Sequence, residues 1–179
     1  TREIGKDAIT NILKIWYENV KTERKEYQKV PRPKEAERLI LNIIYSNIFT
    51  AAEQLDEKKY DIEHLATKER LKTIMNKINK DNITLRLPIS SIGNLCFLPE
   101  NINRGKREKT IYQRRISNIS EVENKYSFTT HEDLRWLENN YISADKLTEH
   151  YMSFIDNRFQ IISDKLIKVL YPEQSEQSS

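Results

Sequence analysis

The sequence has little cysteine and little glycine, and it has no long apolar run. Its single cysteine, Cys96, excludes an intrachain disulfide and a Cys-rich zinc site, and it favours a reducing cytoplasm as the location. Three glycines are too few for a Gly-rich phosphate loop. The longest apolar stretch, residues 39–45, is short and interrupted by Asn42, so the sequence predicts no membrane-spanning helix.

Charge is nearly balanced over the 179 residues. The 30 basic and 27 acidic residues give a net charge of +3, which by itself does not indicate a nucleic-acid partner. Basic residues are concentrated between positions 104 and 115, where the only acid is Glu108. The members of this basic cluster are Arg104, Lys106, Arg107, Lys109, Arg114 and Arg115. Such a cluster is either a solvated face or a phosphate-binding surface.

Most of the chain has helical hydrophobic periodicity. Apolar residues recur at three- and four-residue spacing over about 4–20, 36–55, 71–78 and 144–170. Thr130 followed by Asp133 predicts a capping box for a helix over 131–139, and Ser143 predicts the cap of the last helix. The polar tail, residues 173–179, is predicted to be disordered.

The middle of the chain has a different pattern. Residues 60–65 (YDIEHL) and 92–98 (IGNLCFL) read as short strands, and a basic helix is predicted over about 100–118. We therefore predict a mainly α, α+β fold with a small embedded ββα unit. The predicted parts are an N-terminal helical part (1–56), the ββα core with its helical insert (57–118) and C-terminal helices (119–172).

Three pieces of this unit carry groups suited to phosphodiester hydrolysis. His64 can accept a proton from water. The rate of hydrolysis would then rise with pH near an ordinary imidazole pKa of about 6.5. Glu63 and Asn103 offer the hard oxygen ligands that Mg²⁺ or Mn²⁺ prefers. Asn94, on the second strand, can orient the imidazole or its backbone.

Each residue also has a structural interpretation. An isolated histidine such as His64 is more often a hydrogen-bonded structural residue, and Asn94 after Gly93 can be a turn residue. Asn101 and Asn103 can be helix caps, and Asn101 is also the alternative metal ligand. The other histidines, His131 and His150, are predicted to lie on helix surfaces without carboxylate partners.

The order of these pieces resembles the C-terminal nuclease domain of GmrSD-type restriction enzymes, a branch of the HNH (His-Me finger, ββα-metal) nucleases. The matching segments are Ile62-Glu63-His64-Leu65, then residues 92–98, then Asn103. Ile155 and Arg158 resemble an Ile-x-x-Arg near the end of these domains. The resemblance covers about 55–172 and is close only in the three motifs. The family usually has proline two residues after the motif histidine, where this chain has Ala66.

The resemblance implies a DNA endonuclease that nicks double-stranded DNA with Mg²⁺ or Mn²⁺. His64 would be the general base, Asn94 its support, and Glu63 and Asn103 the metal ligands. Arg104, Lys106, Arg107 and Arg114 would contact DNA phosphates. The whole protein would serve phage defence by modification-dependent restriction, with an N-terminal nucleotide-binding regulatory domain upstream. The alternative is a catalytically silent DNA-binding or assembly module on the same fold.

Overall fold

A computed structural model describes residues 4–23, 25, 32–48, 60–80, 84–103, 108–114 and 116–173. Within these ranges the helices and strands are α1 (Lys6–Glu23), α2 (Glu35–Tyr45), β1 (Tyr60–His64), α3 (Lys68–Asn79), β2 (Leu95–Pro99), α4 (Glu100–Asn103), α5 (Ile119–Glu121), α6 (His131–Leu134) and α7 (Ala144–Leu170). The sheet that they contain is the antiparallel pair β1–β2. The mainly helical α+β class predicted from the sequence is therefore confirmed.

Helix α7 is the scaffold of the fold. Its 27 residues span about 40 Å. Its buried side chains recur at three- and four-residue spacing, which gives one apolar stripe along the helix. That stripe packs against α1, α2 and the short 3₁₀ turn Ile92–Asn94. Leu41, Leu98 and Phe154 come from the three predicted parts of the chain, and all belong to one hydrophobic core.

Helix α1 is held against α7 by few residues. Tyr17 is its buried side chain, and the ring lies flat on Phe159 with ring centres 3.9 Å apart. The Tyr17 hydroxyl donates a hydrogen bond to Asp156 at 2.6 Å, and Lys21 pairs with the same carboxylate. Burial, followed by the bond to Asp156, raises the pKa of Tyr17 far above its ordinary value.

Local capping signals are confirmed where the structure describes them. The Thr130 N–H donates to Asp133 Oδ2 at 2.7 Å, and Ser143 Oγ accepts from the Lys146 N–H. Thr67 caps α3 by accepting from the Arg70 N–H. These bonds satisfy amide groups that have no partner in the first turn of a helix.

Three predicted boundaries differ from the structure. Helix α2 ends at Tyr45, and the rest of its predicted stripe lies outside the described residues. The second strand begins at Leu95, because residues 92–94 form the 3₁₀ turn. The basic helix over 100–118 is wrong beyond Asn103 in the described part. Thr110 and Arg114 have extended backbones on either side of a three-residue 3₁₀ turn.

One segment without a sequence signal turns the chain toward α7. Residues Val122–Ser127 form a π-helix, and Phe128 ends it in the left-handed region with φ of 54°. The Phe128 N–H donates to the Glu123 carbonyl, which closes the wide turn. The tail from 174 onward lies outside the described residues. No helix within the described ranges is long and apolar enough to cross a membrane.

Candidate active site

The two strands bring the separated sequence motifs together. In the β1–β2 register, Glu63 lies opposite Cys96 and His64 lies opposite Leu95. Helix α4 follows β2 directly, so the chain order is strand, α3 insert, strand, helix. Successive side chains of a strand leave on opposite faces, so adjacency alone does not bring Glu63 and His64 into one cluster.

His64 lies at the end of β1 inside the protein, with 8% of its surface exposed. Its Nε2 lies 3.0 Å from Ser90 Oγ. Burial, aided by the positive charge of Lys68, lowers the pKa of the imidazole to about 3. The ring is therefore neutral at physiological pH, and its pKa differs from the ordinary imidazole value of about 6.5 on which the predicted rise of activity with pH is based.

Asn94 is fully buried, and its amide secures the chain just after His64. Its Oδ1 accepts from the Ala66 N–H at 2.8 Å, and its Nδ2 donates to the carbonyls of Ala66 and Ile89. The Asn94 carbonyl accepts from the Leu65 N–H. In the described contacts Asn94 acts on the backbone after His64 and not on the imidazole, so it is a positioning residue.

Ala66, at the position where the resemblance leads one to expect proline, has a specific role. Ala66 uses its N–H in the bond to Asn94, and proline has no N–H to donate. The strand exit is instead fixed by Asn94 and by Thr67, whose hydroxyl also donates to the Glu108 carbonyl at 3.2 Å. Hydrogen bonds thus fix the backbone at the exit of β1.

The Ile-Gly-Asn-Leu segment is fixed on α7. A Cβ on Gly93 would lie only 2.8 Å from the carbonyl carbon and Cα of Ile155, so glycine is required by close approach. Arg158 donates from Nη1 to the carbonyls of Gly93 and Leu95 at 2.6 and 2.9 Å. Two features of the resemblance, Gly93 and the Ile-x-x-Arg, therefore meet as one packing contact.

The candidate metal ligands are described only in part. Glu63 is buried on β1. Asn103 ends α4, but its side chain and that of Asn101 lie outside the described residues. In the described part of the chain, no three His, Cys, Asp or Glu side chains form a group that could hold a metal. Within the described residues, Glu63 is thus the one candidate metal ligand whose side chain is placed.

The proposed DNA-contacting residues separate into two sets. Arg104, Lys106 and Arg107 lie outside the described residues. Arg114 is not on the helix of Asn103, and its Nη1 donates to the Ile102 carbonyl at 2.6 Å. Partial burial lowers the pKa of Arg114. This guanidinium therefore anchors the end of α4.

The remaining histidines lie away from β1. The expectation that His131 has no carboxylate partner is wrong, because its Nε2 lies 2.6 Å from Glu138 Oε1. His150 is exposed and stacks parallel to Trp136, with ring centres 6.0 Å apart. Neither contact involves a residue of β1 or β2, and the His131 ring also stacks on Tyr112, with ring centres 6.0 Å apart.

Ser90 is the site residue that sequence reasoning missed. It lies 26 positions after His64, in the connection between the strands, and it is buried. Its neighbour Ser91 also caps the 3₁₀ turn, so serine at these positions is typical of a turn and does not indicate a functional residue. Only the folded chain shows that Ser90 contacts the imidazole.

Comparison with known proteins identifies no relative: no protein-family model, curated protein or solved structure matches this chain.

Proposed function

We propose that this chain is a metal-dependent DNA endonuclease domain of the ββα (HNH) type. The observation that carries the proposal is the neutral imidazole of His64, held at the end of β1 in an antiparallel pair that is followed directly by a helix. A neutral imidazole is the form that accepts a proton from water. Glu63 offers a hard oxygen donor one position before His64, and the resemblance, not the strand geometry, assigns it to the metal.

In this mechanism Nε2 of His64 carries the proton and donates to Ser90 Oγ. The lone pair then resides on Nδ1, which takes a proton as a water oxygen attacks phosphorus. The bond to the leaving oxygen breaks, and that oxygen keeps the bonding electrons and takes a proton from solvent water. Burial weakens the base in the resting protein, because it disfavours the imidazolium. An approaching phosphate has the opposite effect, since a nearby negative charge stabilises the imidazolium.

Mg²⁺ or Mn²⁺ would be held by Glu63 and Asn103, with Asn101 as the alternative to Asn103. When bound, such an ion supplies positive charge to the scissile phosphate. A site with one carboxylate and one amide suits Mg²⁺, which keeps several of its waters.

The partner of this site would be double-stranded DNA. The side chains of Arg104, Lys106 and Arg107 would contact its phosphates. One site per chain produces a nick as the primary product. By resemblance, the whole protein would be a phage-defence enzyme of the cytoplasm that restricts modified DNA, under the control of an upstream nucleotide-binding domain.

A catalytically silent DNA-binding or assembly module is the second candidate. The burial of His64 favours it, because a general base must reach water. The side-chain hydrogen bonds of Asn94 also go entirely to backbone groups. On this alternative His64 and Ser90 form a structural pair inside the fold.

Supercoiled plasmid incubated with the domain and Mg²⁺ or Mn²⁺ tests the proposal. Open-circle product that EDTA abolishes is the expected result. His64→Gln places an amide where Nε2 was and so keeps a partner for Ser90 while removing the base, and it should abolish nicking. His131→Gln is the matched control at a histidine outside β1 that contacts Glu138, and it should nick like the parent.

Two further substitutions assign the metal ligands. Glu63→Gln and Asn103→Ala should raise the Mg²⁺ concentration needed for nicking, and Asn101→Ala should have a smaller effect. The reverse ranking of the two asparagines would move the ligand by two positions. A folded parent that binds DNA without nicking it under any metal would establish the silent module instead.

A further inference from the structure

Helix α1 has more apolar surface than the fold covers. Its buried side chain, Tyr17, lies on Phe159 of α7. At 3.6 residues per turn, Ile12 and Ile15 lie about 140° and about 160° around the helix from Tyr17. These two side chains are 56% and 62% exposed. The structure therefore leaves one apolar side of α1 open to solvent.

The exposed apolar side chains of α1 form a stripe and are not scattered. Ala8, Ile12 and Ile15 follow one another at four- and three-residue spacing, and all three are exposed. Ile4 lies just before the helix, four residues before Ala8, and is 57% exposed. Single exposed apolar residues are ordinary, whereas a contiguous patch marks an interaction surface. We call these four residues the outer face of α1.

Two charged side chains along one edge of the outer face indicate what covers it. Asp7 and Lys14 are seven residues apart, so they lie about 20° from each other around the helix and two turns apart along it. Both are exposed, and neither takes part in an ion pair within the described part of the chain. This edge therefore offers one acid and one base to a partner.

A second α1 that runs in the opposite direction meets this edge with the opposite charges. In an antiparallel pair related by a two-fold axis, an edge of one helix faces the same edge of the other. An axis midway between Asp7 and Lys14 sets each carboxylate against the ammonium of the second copy. The midpoint between Ile4 and Ile15 is only one residue away, about 1.5 Å along the helix, so the same axis pairs these apolar side chains. A parallel pair would set the charged edge against the edge of Ile12.

We propose that the outer face of α1 binds the same face of a second copy of this chain, with the two helices antiparallel. Ile12 and Ile15 form the apolar contact, and Asp7 pairs with Lys14 of the second copy in two symmetric contacts. Asn11 lies within the stripe and keeps its middle polar. One helix per chain is also a small interface, so the dimer is weak and the chain is a monomer at low micromolar concentration. The nuclease proposal does not depend on this contact.

Sedimentation equilibrium of the chain in EDTA, from about 10 µM to about 1 mM, measures the dimer. We expect the average mass to rise from that of the monomer toward that of the dimer. Ile15→Asp places a charge in the outer face and should abolish the rise. Leu39→Asp is the matched control at an aliphatic residue of α2 that is 60% exposed, and it should dimerise like the parent. Circular dichroism of both variants shows that they fold.

Charge reversals test the antiparallel arrangement. Asp7→Lys alone and Lys14→Asp alone set like charges against each other, and each should weaken the dimer at least about tenfold. The double variant restores opposite charges at both contacts without changing the net charge, and it should dimerise to within about threefold of the parent. Asp7 lies in the first turn, where an acid favours the helix. Because the double variant also lacks that acid, its recovery cannot come from a more stable α1.

Three results would overturn the proposal. A chain that stays monomeric up to about 1 mM would assign the outer face to a different partner. A dimer that survives Ile15→Asp, or one that is lost in Leu39→Asp, would place the contact on another surface. A double charge variant as weak as the single variants would refute the antiparallel pairing. No metal is present in these measurements, so failure of the nuclease proposal leaves them unaffected.

Discussion

Gly93→Ala is the sharpest test of how the Ile-Gly-Asn-Leu segment is held. The new Cβ would lie 2.8 Å from two backbone carbons of Ile155, whereas carbon atoms in contact normally lie about 3.5–4.0 Å apart. The 3₁₀ turn and α7 would therefore have to separate by roughly 1 Å. Because the obstructing atoms belong to the backbone, no side-chain change at Ile155 can relieve the clash.

Two effects lower the free energy of unfolding in Gly93→Ala. Overpacking in a well-packed core costs about 1–3 kcal/mol. The separation also breaks the 2.6 Å bond from Arg158 to the Gly93 carbonyl, and a hydrogen bond to a charged group contributes about 1.5–3 kcal/mol. We expect the free energy of unfolding to fall by about 3–5 kcal/mol. In a domain of this size, each kcal/mol lowers Tm by about 2–4 °C.

Urea denaturation followed by far-ultraviolet circular dichroism measures this change. Gly5→Ala is the matched control, since nothing lies within 4 Å of the Cβ it would add, and it should change stability by less than about 1 kcal/mol. A loss of less than about 1 kcal/mol for Gly93→Ala would show that the turn does not lie against α7 as described.

Three further predictions concern buried polar groups. Asn94→Ala should lower the free energy of unfolding by about 3–5 kcal/mol, because three buried backbone groups lose their partner, while Asn11→Ala on an exposed face should change it by less than about 0.5 kcal/mol. His64 has a folded pKa of about 3, below its unfolded value of about 6.5. The stability that the neutral His64 imidazole contributes is complete above pH 6.5 and is lost as pH falls toward 3. Over that range the free energy of unfolding falls with a slope approaching about 1.4 kcal/mol per pH unit. The free energy of unfolding of His64→Gln, measured between pH 6.5 and 3, should lack this slope. An unchanged slope would contradict the lowered pKa of His64. Tyr17→Phe keeps the ring stack but removes the bond to Asp156, so thermal melts should show a loss of about 1–2 kcal/mol.

Local patterns in the sequence determined the helices and their caps. Apolar residues recur at helical spacing in α1, α3 and α7, so these helices could be located from the sequence, although Ile12 on α1 stays 56% exposed. The Thr130–Asp133 box and the Ser143 cap depend on neighbours three residues apart and were therefore predictable. The basic helix over 100–118 was wrong because charge does not specify backbone conformation, and Arg114 binds the end of α4 instead.

The sequence indicated His64, Asn94 and Glu63 as candidate site residues, but only the tertiary structure decided their environment and added Ser90. Ser90 reaches His64 across 26 residues, and Arg158 reaches Gly93 across 65. Burial moved the imidazole pKa from its ordinary value to about 3, and no local pattern encodes that change. Hydrogen bonds along a helix follow from spacing in the chain, whereas desolvation and long-range partners exist only after the elements have packed.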